Sequence, residues 1–314
     1  MGAASLVTGA PRTREREGEA GEEGLAAPAG LLPDADALGV YGRAADFEAI
    51  VEHLEAAIGG LDPVARPTQM RFPPVIARAT IERCGYLHSF PHLLGTVFAF
   101  EGDDAAHAGL VAAAEAGQDW SGFQRMTDVA LVPAACYAVY PRLAGRLPID
   151  GRLIDVASWC FRQEPSEVPE RMRSFRMREF VRLGPPEVVQ AWRAGWLERA
   201  EAFVARLGLA PGLAPANDPF FGTGARFLAR SQREQELKFE LSVEVRPGVR
   251  VAAVSCNYHL EHFGAAFGIT TPDGETAHTA CVGFGLERLA VALIHAHGAT
   301  LDAWPAHVRS NLST

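Results

Sequence analysis

Residues 152–184 read RLIDVASWCFRQEPSEVPERMRSFRMREFVRLG, and their pattern is the main sequence evidence for the fold. Its first part, residues 152–161, is rich in apolar side chains of the kind that favour a β-strand. A loop containing Pro165 and Pro169 follows, and residues 174–183 have the composition of a second strand. This order of strand, loop and strand predicts a long antiparallel hairpin with a mobile tip.

The rest of the chain contains amphipathic helices and further paired strands. Apolar residues at helical spacing predict helices over residues 45–59, 76–85, 105–116, 186–207 and 283–297, the last of which Gly298 can end. Alternation predicts a strand over 237–245, and an apolar run predicts a buried strand over 251–256. Because the strands come as hairpins, the sequence predicts an α+β fold, an antiparallel β-sheet flanked by helices.

Composition narrows the class of protein. The chain has 314 residues and a net charge of −9, which argues against an extended nucleic-acid-binding surface. No stretch approaches the roughly 20 apolar residues that cross a bilayer, and the charged start lacks the apolar core of a secretory signal. We therefore expect a cytoplasmic protein without a membrane partner. Residues 1–35, rich in Gly, Ala, Glu and Arg, predict a disordered tail, followed by a domain over 36–314.

Two short motifs carry the functional signal. Phe161-Arg162-Gln163-Glu164 closes the first strand of the hairpin, and Gly283-Phe284-Gly285-Leu286-Glu287-Arg288 opens the final helix. Taken singly, an Arg-x-Glu on a strand is most often a surface ion pair, and a Gly-x-Gly is often only a turn. Together, in this order and more than a hundred residues apart, they resemble motifs 2 and 3 of class II aminoacyl-tRNA synthetases.

The resemblance implies an ATP site and a class II synthetase-like catalytic domain. Arg162 and Arg288 would be the catalytic residues: Arg162 at the α-phosphate, Arg288 stacked on the adenine and reaching the outer phosphate. A guanidinium suits the α-phosphate because it is always charged and binds two oxygens at once. Glu164 would accept from the adenine amino group. Further ATP contacts are implied at Arg171, Met172, Ala252, Ala253, Val254 and Ser255, with Mg²⁺ implied by the chemistry and Ser255 on its side.

Cysteines supply the second signal. The five of them are odd in number and widely spaced, so disulfides are not expected, and buried thiols or metal ligands remain. Spacing alone does not identify a metal site. Atypical seryl-tRNA synthetases of methanogens, and the amino acid:carrier-protein ligases that resemble their catalytic core, have Cys, Glu and Cys at the positions of Cys136, Glu179 and Cys281. The resemblance implies Zn²⁺ with three protein ligands and an open position for the substrate amino group, with Glu179 contacting the amino acid.

A rival metal set lies in residues 256–262. Cys256, His259 and His262 have a Cys-x-x-His-x-x-His spacing that could hold a metal. We favour a role in shaping the ATP or carrier-arm pocket, because the segment resembles the carrier-protein ligases. Lys238 and Glu240 share the polar face of a predicted strand, so they either point into the cleft or form a solvated face.

The acceptor of the activated amino acid is inferred from what the chain resembles. A tRNA-charging relative of this type carries a sizeable N-terminal domain, whereas the chain resembles only a catalytic core, so we expect a holo carrier protein and no tRNA. The carrier-protein ligases load glycine or alanine as a thioester on phosphopantetheine, through an aminoacyl-adenylate. The resemblance places a helical carrier-binding insertion at residues 186–233. Its candidate contacts to an acidic carrier are Arg193, Arg199, Arg226, Arg230 and Arg233.

Two alternatives remain at this point: an enzyme that charges tRNA, and a non-catalytic regulatory paralogue that kept the fold. A homodimer is implied by the class II resemblance only. Motif 1, a helix and a strand that ends in proline, is poorly marked, and residues 76–100 with Pro91 are its candidate.

Overall fold

A computed structural model of the chain describes residues 30–62 and 66–313. The helices are α1 (Ala45–Gly59), α2 (Arg78–Arg83), α3 (Tyr86–Ser89), α4 (Asp104–Glu115), α5 (Pro186–Arg206), α6 (Ala225–Glu234), α7 (His262–Phe267), α8 (Leu286–His297) and α9 (Ala306–Leu312). The strands are β1 (Thr68–Arg71), β2 (Val75–Ala77), β3 (Thr96–Phe100), β4 (Gln124–Leu131), β5 (Gly145–Arg146), β6 (Arg152–Phe161), β7 (Ser174–Gly184), β8 (Gly212–Pro215), β9 (Lys238–Arg246), β10 (Val249–Leu260), β11 (Ile269–Thr270) and β12 (His278–Gly285). In the part of the chain so described, no helix has the length and hydropathy needed to cross a bilayer.

A seven-stranded sheet organises the domain, in the order β1-β6-β7-β12-β10-β9-β8. Its pairs are antiparallel except for β1 with β6. The predicted hairpin is β6 with β7, paired from Arg152 opposite Leu183 to Phe161 opposite Ser174. The α+β architecture predicted from the sequence is therefore confirmed, with one parallel pair at the edge.

One face of the sheet packs against helices α1, α5, α8 and α9. Its core contains Phe180, Val282 and Phe284 from the strands, and Trp196 and Phe203 from α5. Apolar side chains recur along α5 at the spacing that brings them to one side of a helix. The helix therefore buries one side in the main core. It forms the first part of the predicted carrier-binding insertion over 186–233.

The opposite face carries the smaller elements and is where polar groups collect. Val181 and Cys281 belong to a second core there, together with Cys136 from the 3₁₀ turn Ala135–Ala138. Because side chains alternate along a strand, Glu179 and Val181 point to this face while Phe180 points to the helices. Strand alternation thus separates a structural face from a face available for chemistry.

Three predicted elements differ from those observed. The helix predicted over 76–85 begins as β2, and only Arg78–Arg83 is helical before the chain turns into α3. The final helix begins at Leu286, because Gly283–Gly285 belong to β12 and pair with Glu179–Met177 of β7. The strand predicted over 251–256 is the middle of the longer β10. Glycine in a strand gives the same local signal as glycine in a turn, which explains the error at Gly283.

The predicted N-terminal tail and the predicted position of motif 1 also need correction. Residues 1–29 of the predicted disordered tail lie outside the described residues, but Leu31 and Leu32 are buried in the main core. The ordered domain therefore includes residues 30–35.

Pro91 starts a 3₁₀ turn and does not end a strand, so residues 76–100 lack the arrangement expected of motif 1. A helix, then a strand followed by proline, occurs instead at α1, β1 and Pro73.

A buried ion pair provides a test of this architecture. Arg178 of β7 donates from Nε and Nη2 to the two carboxylate oxygens of Asp155 on β6, at 3.0 and 2.6 Å, and both residues are buried. The variant Asp155→Ala leaves the guanidinium buried without its partner, which costs about 3–5 kcal/mol. We expect a loss of that size in the free energy of unfolding, measured in urea. Glu82→Ala is the control, because its pair with Arg78 is exposed and contributes at most ~1 kcal/mol. Equal effects of the two variants would contradict the assignment.

Candidate active site

Two adjoining cavities open on the polar face of the sheet. The first is lined by Glu164, Met172, Arg288 and the β10 residues 252–255. The second encloses about 420 Å³ and contains Cys136, Glu179 and Cys281 in its wall. They share the lining residues Arg162, Met177, Lys238, Ser255 and Gly283. The two sets of residues predicted separately from the sequence therefore face one continuous cleft.

Arg162 stands at the junction of the two cavities. Its backbone N–H donates to Arg173 O at 2.9 Å, and its Nε donates to Pro133 O at 3.2 Å. Its guanidinium carbon lies 5.4 Å from the centre of the Phe175 ring, which is within cation–π range. These contacts use only part of its fork, so the remaining N–H groups can bind an anion from either cavity.

Arg288 on the first turn of α8 is held by two carbonyl groups. Its Nε donates to Glu170 O at 2.9 Å, and its Nη1 donates to Ala252 O at 2.8 Å. The first acceptor belongs to the hairpin loop and the second to β10. The plane of the guanidinium is thereby fixed between two walls of the first cavity, as a residue that stacks on a flat ring requires.

Glu287 ties α8 to the hairpin directly behind this cavity. Its carboxylate accepts from the Arg176 backbone N–H at 2.6 Å and from Arg176 Nε at 2.8 Å. Arg176 continues to Glu48 of α1, at 2.6 and 2.9 Å. The Arg176 guanidinium is thus paired with two carboxylates, those of Glu287 and Glu48, and Glu287 is buried. This network forms a rigid wall behind the first cavity.

The predicted metal ligands meet in the second cavity. One ligand atom from each of Cys136, Glu179 and Cys281 lies within 4.8 Å of the other two, and all three residues are buried. Glu179 also accepts from the Ala135 backbone N–H at 2.8 Å, which fixes the carboxylate. Burial, together with the charge of Cys281, raises the pKa of Glu179 to about 7. Two thiols and one carboxylate at this spacing match the donor set that zinc prefers.

The two thiols differ in their readiness to ionise. A hydrogen bond from Cys136 holds the pKa of the Cys281 thiol well below its ordinary value, with His259 acting in the same direction and burial opposing it. The same hydrogen bond, together with burial, raises the pKa of the Cys136 thiol. Cys281 is therefore the first thiolate of the pair and the natural first ligand of a cation.

The three residues of the rival metal set, Cys256, His259 and His262, do not meet at one point in the structure. Cys256 is fully buried in the helix-packed core, on the other side of the sheet from the cleft. His262 lies by Cys84 O, at 2.9 Å, and His259 lies by Cys281. Within residues 30–62 and 66–313, the Cys136 cluster is the one group of three or more His, Cys, Asp or Glu side chains compact enough to hold a metal.

Most of the other predicted residues reach the cleft, but Arg171 does not line either cavity. Met172 and the β10 residues 252–255 line the first cavity. Lys238 and Glu240 both point into the cleft, which settles the choice that their alternation left open.

Some lining residues were missed in the sequence. Phe175 and Met177 precede Glu179 at intervals of two along β7, so strand alternation could have placed them in the cleft. Asp218, in the segment after β8, accepts from Lys238 Nζ at 2.5 Å and from Gln232 Nε2 of α6 at 2.8 Å. An isolated Asp in an irregular segment carries no pattern that would have identified it.

Comparison with known proteins shows which family the chain belongs to. None of the known protein-family profiles matches the chain. Amino acid–acyl-carrier-protein ligase 1 of Bradyrhizobium diazoefficiens is 48% identical over 277 residues, which are 87% of this chain and 85% of that protein. The chain belongs to the amino acid–acyl-carrier-protein ligase family.

More distant relatives of this ligase carry the same fold. A type-2 serine–tRNA ligase of Methanococcus aeolicus is 30% identical over 58% of the chain, a region that makes up 37% of that enzyme. The solved M. kandleri SerRS, in complex with A. aeolicus tRNASec, superposes with a TM-score of 0.75 at 21% identity. The match covers 90% of the ligase and 58% of that chain. The predicted class II synthetase-like fold and the predicted family are both confirmed.

Proposed function

We propose that this ligase activates a small amino acid with ATP and transfers it to the phosphopantetheine thiol of a carrier protein. The observation that carries the proposal is the shared wall of the two cavities, where Arg162 stands between the nucleotide residues and the metal ligands. A carboxylate held at that junction has phosphate-binding groups on one side and amine-binding groups on the other.

The reaction has two displacement steps. In the first, an oxygen of the amino-acid carboxylate attacks the α-phosphorus of ATP, and pyrophosphate leaves with the electrons of the broken P–O bond. In the second, the carrier thiol loses its proton and its sulfur attacks the carbonyl carbon of the adenylate, so that AMP leaves. The products are an aminoacyl thioester, AMP and pyrophosphate.

Side chains of the first cavity would bind the nucleotide. Arg162 neutralises the charge that builds up on the α-phosphate, and Arg288 stacks on the adenine from its fixed position between Glu170 and Ala252. Glu164 accepts from the adenine amino group. Residues 252–255 of β10 form the opposite wall. Ser255 would help to hold the Mg²⁺ that accompanies ATP.

The second cavity would bind the amino acid. Cys136, Glu179 and Cys281 fit Zn²⁺, and three protein ligands leave one tetrahedral position for a free amine. Bound zinc would supply Lewis-acid recognition of the amino group, which selects α-amino acids and directs their carboxylate toward Arg162. The preference for glycine or alanine is proposed from the family resemblance.

The carrier protein would dock on α6. This helix exposes Arg226, Arg230 and Arg233 to solvent, as well as Phe227, which is 75% exposed. Its other side carries Leu228, Ser231 and Gln232 into the wall of the second cavity. An acidic partner bound to the outer side would therefore lie at the mouth of the cleft. Because α5 packs one side against the sheet, we assign the carrier-binding part of the predicted insertion to the segment around α6.

We also propose that the ligase is a homodimer, as the class II fold implies. The three-stranded sheet β2-β4-β3 exposes Phe98 and Met126, which lie directly opposite each other. Neighbouring Phe100 is exposed as well. Such a row of apolar side chains is typical of a surface that another subunit covers.

Transfer of a labelled amino acid distinguishes the proposed acceptor from tRNA. We expect label from glycine or alanine to appear on holo carrier protein in the presence of ATP, Mg²⁺ and Zn²⁺, and not on the apo carrier, which lacks the thiol. The non-catalytic alternative predicts no amino-acid-dependent exchange of pyrophosphate into ATP with any of the common amino acids. Comparable transfer to tRNA would contradict the carrier assignment.

Arg162 tests the mechanism of activation. Replacing it in Arg162→Ala removes the donor at the α-phosphate and should lower the rate of pyrophosphate exchange by at least ~10²-fold. The matched control is Arg152→Ala, an exposed arginine at the far end of the same strand. Exchange within about threefold of the wild-type rate would rule out the proposed role of Arg162.

Charge reversal on α6 tests the docking surface. The double variant Arg226→Glu/Arg233→Glu should raise the KM for the holo carrier roughly tenfold, because like charges then oppose the acidic carrier. Pyrophosphate exchange should stay unchanged, since neither side chain lines a cavity. Arg206→Glu, on the exposed end of α5, is the control. An unchanged KM in the double variant would place the carrier elsewhere.

A further inference from the structure

His259 lies beside the proposed metal ligands because it follows Ser255 and Asn257 at intervals of two along β10, and alternate side chains of a strand share one face. Asn257 is directly opposite Cys281 in the ladder between β10 and β12, and Tyr258 is opposite Ala280. The next pair is Leu260 with Thr279, so His259 is an extra residue without a partner, and Leu260 takes a positive φ of 54°. The bulge leaves His259 outside the regular ladder, and its imidazole lies on the same side of the sheet as the Asn257 side chain.

Two contacts determine how the imidazole is held. His259 Nδ1 lies 3.0 Å from Thr279 Oγ1, and Nε2 lies 3.6 Å from Cys281 Sγ. The ring also meets Phe263 edge-on, with 4.9 Å between ring centres. A thiolate only accepts, so the proton belongs on Nε2, and Nδ1 then accepts from the Thr279 hydroxyl.

Asn257 supplies a second donor to the same sulfur. Its Nδ2 lies 3.5 Å from Cys281 Sγ and 3.1 Å from Ser255 Oγ. Asn257 and Ser255 are two residues apart on β10 and line the second cavity together. The Cys281 sulfur thus faces N–H groups from two side chains, in addition to its contact with Cys136.

We propose that His259 and Asn257 form an outer hydrogen-bonding shell around Cys281 that keeps its sulfur aimed at the metal. This inference rests on the zinc site proposed above. His259 acts through Cys281 and is a positioning residue. Groups in this position fix the orientation of a metal ligand and its negative charge, and their loss costs about 10–100-fold in metal affinity.

Metal affinity of the full-length chain, measured by competition with a chromogenic zinc chelator, tests the inference. His259→Phe keeps a ring of similar size but has no donor, and it should bind zinc about 10–100-fold more weakly. His259→Gln retains an N–H group and should recover most of that loss. Thr279→Val should weaken binding less than His259→Phe, because it removes only the group that fixes the tautomer.

A spectroscopic readout separates positioning from general damage. With Co²⁺ in place of zinc, the thiolate-to-metal absorption band should shift in His259→Phe and return toward the wild type in His259→Gln. His278→Phe is the matched control, since this histidine of β12 contacts Tyr258 and does not line the cavity. Its affinity and spectrum should equal those of the wild type.

The outcomes distinguish this inference from the proposed function. If the wild type binds zinc and His259→Phe binds it equally well, the outer shell is contradicted. If His259→Gln loses as much affinity as His259→Phe, the residue is a direct ligand and the proposal is also overturned. If the wild type binds no zinc, or Cys281→Ser binds it as tightly as the wild type, the metal site itself is contradicted.

Discussion

The site depends on the register with which β7 pairs with its two neighbours. Glu179 lies between Val156 of β6 and Gly283 of β12, which puts its carboxylate on the face opposite the helices. A slip of one residue would turn Glu179 into the main core and Phe180 into the cleft. Gly283 leaves room for these side chains, because a Cβ there would lie 2.9 Å from the Met177 terminal methyl and 3.3 Å from Glu179 Cγ. A larger residue at this position would displace the methyl group and crowd Glu179, the proposed metal ligand.

The same hairpin joins the two halves of the proposed chemistry. Arg162 follows the end of β6, and Glu179 lies on β7, so the proposed phosphate and amine sites belong to one hairpin. Arg176 anchors this hairpin to Glu287 at the start of the last helix. Asp218 connects β9 to α6, because the carboxylate that pairs with Lys238 of β9 is also held by Gln232 of α6. The helix proposed to bind the carrier is therefore attached to a strand that lines the cleft.

The sequence predicted those parts of the fold whose signal is local. Alternation and apolar runs identified the hairpin, and the motifs around Arg162 and Arg288 identified the class of fold. The proposed metal ligands needed the family resemblance, since Cys136, in a 3₁₀ turn, and Cys281, on β12, are far apart in sequence and only the fold brings them together. The spacing of Cys256, His259 and His262 drew attention to His259, but its contact with Cys281 could not be predicted, because it depends on which strand pairs with β10. Asp218 could not be predicted either, because it lies in an irregular segment, and only its contact with the buried Lys238 identifies it.

The central claim is that one cleft binds the amine at the metal ligands and the α-phosphate at Arg162. A crystal structure with zinc and a non-hydrolysable alanyl-adenylate analogue, recorded at the zinc absorption edge, tests it most directly. We expect an anomalous peak among Cys136, Glu179 and Cys281, with the analogue's amine on the metal and its phosphate mimic against Arg162. A peak elsewhere, or an analogue whose amine points away from these three residues, would contradict it.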